Sequence, residues 1–126
     1  MNITIVTLPH KAQRYDTGGD WQFDEKGNLL ISVSELGNWK REFLVAMHEL
    51  IEAALCKDVG ITTEEVDDFD MAWEEHDGIE EPGDDPAAPY YHLHQIALAF
   101  EHHLAVALGI NFRQHDRGII EGGEPK

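Results

Sequence analysis

The sequence predicts an α+β domain: a small antiparallel N-terminal sheet of about three strands, followed by three helices. Two observations predict it. Up to Val33, short runs of β-branched and aromatic residues alternate with turn residues. Beyond Asn38, apolar residues recur at helical spacing, and 39–57 and 90–108 hold neither Gly nor Pro.

The elements follow in order. Residues 2–8 alternate Ile3, Val6 and Leu8 with Thr and read as a strand, which Pro9 and a polar stretch end. Trp21–Phe23 and Leu29–Val33 read as a hairpin around Gly27 and Asn28, two residues that tolerate positive φ. Asn38 is a suitable N-cap for a helix over 39–57, and Gly60 ends it. Thr62 or Thr63, with Glu65 or Glu64 behind it, caps a second helix running to about Glu75. His76–Ala88 reads as a loop. Pro89 starts a third helix that reaches Leu108, with Gly109 as its C-cap. Residues 1–108 are thus expected to form one domain, and 109–126, with three further glycines and a proline, a mobile tail.

Composition narrows the function. The formal charge of −16 argues against nucleic acid as a partner, since phosphates need cations opposite them. It favours bound cations or basic partners. Between Glu64 and Asp85 there are 12 acids in 22 residues and no Lys or Arg, the composition of a solvated face or loop. No apolar run is long enough for a membrane span, and no basic region precedes the first apolar run as in a signal peptide. The single cysteine, Cys56, excludes an internal disulfide and suits a cytoplasmic protein; its place on an apolar face makes it a small core residue.

The chemistry concentrates on two helices. Each helical residue advances about 100°, so His48 and Glu52 share a face with Leu44, Ile51 and Leu55. On the third helix, His94 and Glu101 share a face with Tyr90, Ala97, Leu98, Ala105 and Leu108, whereas His92, His102 and His103 point elsewhere. Burying ionisable groups is costly unless they are paired or ligate a metal. If the two helices pack together, His48, Glu52 and His94 form a two-histidine, one-carboxylate set suited to zinc or a similar divalent ion. Glu49, one residue round the helix, is placed to act as general base. Glu101 is either a fourth ligand or a carboxylate orienting His94. The competing reading is a buried His–Glu hydrogen-bond network without a metal.

Other candidates are weaker. Asp67, Asp68, Asp70 and Asp77 lack the order of a calcium loop. His10, His76 and His115 stand alone in polar stretches and are expected to be exposed. Ser32 and Ser34 lie in a strand without a Gly-x-Ser-x-Gly turn, which argues against a serine nucleophile.

A short sheet followed by a helix bearing "HELIEA" resembles the small zincin-like metallopeptidases, in general outline the ImmA/IrrE-type minimal domain. It is also similar to small phage and prophage proteins with a later Pro-Tyr…His…Glu helix. The likeness covers roughly residues 20–108. It implies a metal-dependent hydrolase acting on a peptide or protein, with His48 as first ligand and Glu49 as general base. Glu52 stands where that family carries its second histidine. The alternative is a non-enzymatic acidic phage protein, a DNA mimic or inhibitor that binds a basic host protein.

Overall fold

The computed structural model describes residues 1–115. Three strands, β1 (Ile3–Leu8), β2 (Gly19–Phe23) and β3 (Leu29–Ser34), precede three helices, α1 (Trp39–Val59), α2 (Thr63–Ala72) and α3 (Tyr91–Leu108). Two single-turn 3-10 segments, His10–Ala12 and Pro82–Asp84, lie in the connections. The α+β class is as expected.

The sheet is mixed, not antiparallel, with strand order β1-β3-β2. β2 and β3 form the expected antiparallel hairpin, but β1 runs parallel to β3, with Ile5 opposite Ile31. The reason lies in the connection 9–18, which is too long for a tight hairpin. It crosses the end of β3 instead, so that β2 starts on the far side. Its polar groups fasten it there: the Gln13 side-chain amide donates to the Ser32 carbonyl at 3.1 Å, and the Ser34 hydroxyl donates to the Thr17 carbonyl at 3.2 Å.

The sequence punctuates the helices as their caps require. Asn38 Oδ1 accepts from the Lys40 and Arg41 amides at 3.0 and 3.4 Å. Gly60 takes φ 83°, a left-handed C-cap open to glycine at little cost. Thr62 and Glu65 form a reciprocal capping box. α2 stops at Ala72, short of Glu75, because Trp73 turns extended and its indole N–H donates to Asp85 at 3.0 Å.

Trp21, Leu29, Ile31, Val33, Leu36, Val45 and Cys56 form the centre of the core, between the sheet and α1. Burial of each larger apolar side chain contributes about 1.5–3 kcal/mol. α3 packs along α1, and this second contact positions the candidate site. His115 is 1 % exposed and packs inside, a correction to its expected exposure. The mobility expected of 116–126 falls outside the described residues. No helix among the described residues is long and apolar enough to cross a membrane.

Candidate metal centre

α1 and α3 bring His48, Glu52 and His94 together, each 4–6 % exposed. Their facing atoms form a tight triangle. His48 Nε2 lies 3.2 Å from Glu52 Oε2 and 3.2 Å from His94 Nδ1, and His94 Nδ1 lies 2.9 Å from Glu52 Oε2. Ligands about 2.0–2.1 Å from a tetrahedral zinc stand roughly 3.3–3.4 Å apart. The triangle is therefore close to one face of such a site, and these three residues could hold a metal ion.

The other polar atom of each residue is also engaged or faced by a carboxylate. Glu52 Oε1 accepts from the Trp21 indole N–H at 3.0 Å. His48 Nδ1 meets Glu101 Oε1 at 2.8 Å, and His94 Nε2 faces Asp84 Oδ1 at 3.4 Å. With its proton on Nδ1, His48 presents a lone pair from Nε2 to the triangle. This is the carboxylate–histidine pattern that orients metal ligands. Glu101 thus stands behind His48, on the far side of its ring from the triangle. It orients His48, not His94.

A second layer holds Glu101. Its Oε2 lies 2.6 Å from His115 Nε2, and Arg41 Nε donates to His115 Nδ1 at 3.3 Å. Arg41 also donates to the His115 carbonyl at 3.1 Å. One assignment satisfies every contact: His115 accepts at Nδ1 and donates from Nε2. His115 carries no periodic signal, because it sits beyond the helix whose face it completes. Asp84 was hidden in the acidic run for a similar reason.

The electrostatics reflect crowded carboxylates. Burial works against charge on His48, but Glu101 and Glu52 outweigh it and hold its pKa well above the ordinary value. The same contest at His94, with Asp84 and Glu52 opposing burial, leaves its pKa at about 10. Burial would raise Glu52, but hydrogen bonds to His48 and His94 pull it well below the usual range. Glu49 is pushed well above that range by burial, then by the charge of Glu52.

Glu49 and Glu52, with Tyr15, Trp73, Tyr90 and His94, line a cavity of about 430 Å³. This size lies within the range of small-ligand clefts. β2 borders it through Gly19, Asp20 and Trp21. Gly19 allows the close approach: a Cβ there would stand 2.7 Å from Val45 Cγ1 and 2.8 Å from Glu49 Cγ. Deeper in the wall, the Tyr15 and Tyr90 hydroxyls both donate to Asp70.

Three of the four aspartates proposed for another ion have separate partners. Arg14 donates to Asp67 at 2.8 and 3.0 Å and also forks onto Asp20, Asp70 takes the two tyrosines, and Asp77 pairs with His76. His10 joins Ser34 and Asp16 at 2.9 and 2.7 Å, the atoms of a catalytic triad. Ser34, however, is fully buried and its hydroxyl donates to the Thr17 carbonyl, so no substrate reaches it.

Comparison with known proteins gives no match: no family model, no curated protein and no solved structure matches the chain.

Proposed function

We propose that this chain is a metal-dependent hydrolase on a zincin-like plan, resembling the ImmA/IrrE-type domain, with a peptide or protein substrate. His48, Glu52 and His94 bind zinc or a similar divalent ion, and Glu49 is the general base. The observation that carries this reading is the triangle of ligand atoms with carboxylates or an indole N–H facing its outer atoms.

A bound divalent ion supplies Lewis acidity toward a carbonyl and lowers the pKa of water. The residues do the rest. Glu49, beside the first ligand and in the cavity wall, takes a proton from the attacking water and returns it to the leaving amine. Glu101 keeps the His48 imidazole in register, and Asp84 faces that of His94. Among the described residues β2 has a strand partner on one side only, and it borders the cavity, so an extended peptide can pair along it.

The acidic-binder reading rests on net charge. Against it, Asp67, Asp70, Asp84 and Asp85 of the acidic segment are engaged inside the fold.

The test is elemental analysis of protein purified without chelator, beside His48→Ala and His94→Ala. About one ion per chain, lost in both variants while circular dichroism is kept, supports the site. Hydrolysis of a peptide library that Glu49→Gln abolishes without metal loss supports the chemistry. A wild type that takes up no metal even after zinc is added back overturns both.

A further inference from the structure

We propose that His94 is shared between two cation sites. The second consists of its other ring nitrogen, Nε2, with Asp84 and Glu81, and takes a divalent ion that accepts mixed nitrogen and oxygen donors, such as zinc or manganese. The inference rests on the metal reading of the first site only for the Nδ1 side of the ring.

The starting observation is a buried atom without a hydrogen bond. The His94 side chain is 8 % exposed, and its Nε2 has no hydrogen-bond partner among the described residues. Buried polar atoms are seldom left so, and each exception calls for a reason. Nε2 points at Asp84 Oδ1, 3.4 Å away and out of hydrogen-bond alignment. That separation is long for a hydrogen bond but equals the roughly 3.3–3.4 Å between two ligands of one tetrahedral ion. Glu81 brings a third donor: ligand atoms of Glu81, Asp84 and His94 all lie within 4.8 Å of one another.

The local fold builds this arrangement. The turn Pro82–Asp84 lies directly on the imidazole, because Gly83 has no side chain; a Cβ there would fall 2.5 Å from His94 Nδ1. The Asp84 amide donates to the Glu81 carbonyl at 3.1 Å, which sets the two carboxylates at either end of one turn. The Gln95 side chain donates to Asp84 Oδ1 at 2.9 Å and fixes its rotamer. Glu81 and Asp84 are only partly buried, so an ion can enter from solvent and keep water ligands. Sharing requires that Nε2 release its proton to solvent as the second ion binds.

Equilibrium dialysis of the full chain against zinc, read by elemental analysis, tests this. The wild type is expected to hold two ions per chain. Glu81→Gln, which leaves the contact between Asp84 and His94 intact, is expected to weaken the second ion at least tenfold and leave the first unchanged. Asp84→Asn should do the same while also loosening the first. His48→Ala should lose the first. One ion per chain, lost in His48→Ala but untouched by Glu81→Gln and Asp84→Asn, overturns the shared histidine and leaves the first site standing. No ion in any folded variant removes both.

Discussion

Glu101 spans two histidines with its two oxygens, 2.8 Å to His48 Nδ1 and 2.6 Å to His115 Nε2. Burial alone would raise its pKa, but His115 and His48 hold it below the usual range, so the carboxylate stays charged where it touches the candidate ligand. Outer carboxylates of this kind typically carry a 10–100-fold effect on metal affinity. Glu101→Gln is therefore expected to weaken zinc binding by about that factor while the far-ultraviolet dichroism is kept. Competition with a chromophoric chelator measures it; an unchanged affinity would make the contact purely structural.

Metal uptake should release protons. His48 and His94 both have raised pKa values, that of His94 about 10, so the metal-free protein carries protons on both at neutral pH. An ion must displace them. Affinity is expected to fall as pH drops, by up to about tenfold per histidine per pH unit. Calorimetry in buffers of different ionisation enthalpy should count close to two protons released per first-site ion at pH 7. A count near zero would mean that the imidazoles are already neutral.

Gly19→Ala should separate fold from chemistry. The added methyl meets the buried Val45 and the stem of Glu49, which borders the cavity. Overpacking of this kind costs about 1–3 kcal/mol. The expected result is a lower Tm, near-normal zinc content and a disproportionate loss of peptide hydrolysis, since Glu49 is displaced and the ligands are not. Equal losses in zinc content and hydrolysis would argue against the role assigned to Glu49.

Asp70 supplies a pH signature away from the ligands. Burial pushes its carboxyl up to about 6, against the pull of Tyr90 and Tyr15. A raised carboxyl pKa stabilises the fold most below about pH 4, and that contribution is lost as pH rises through about 6. Allowing for partial exposure, the loss is on the order of 2 kcal/mol. Asp70→Asn should flatten the stability profile between pH 4 and 6 in urea titrations. A profile as steep as that of the wild type would assign the slope to other groups.

Much of this was legible in the sequence, for identifiable reasons. His48 with Glu52, and His94 with Glu101, announced themselves because a polar pair on an apolar helical face breaks the pattern that helix burial imposes. The caps at Asn38, Thr62 and Gly109 were legible because their chemistry is local. The direction of β1 was not, since strand alternation reads the same in parallel and antiparallel pairing. The roles of Asp84, His115 and Arg41 were not either. Each reaches its partner across the fold from a turn, a chain segment or a helix start that carries no periodic signal. Arg14 was also silent, though it binds acids from β2 and α2.

The site's reliance on α3 and His115 has a consequence for the order of events in the cell. A chain emerging from the ribosome presents His48 and Glu52 long before His94, and Glu101 before His115. The nascent α1 therefore exposes two of the three candidate ligands and several uncompensated carboxylates until nearly the whole described chain is free. On the proposed metal reading, loading with an ion is a late, post-synthetic event. A truncated product ending before α3 would be unable to retain one.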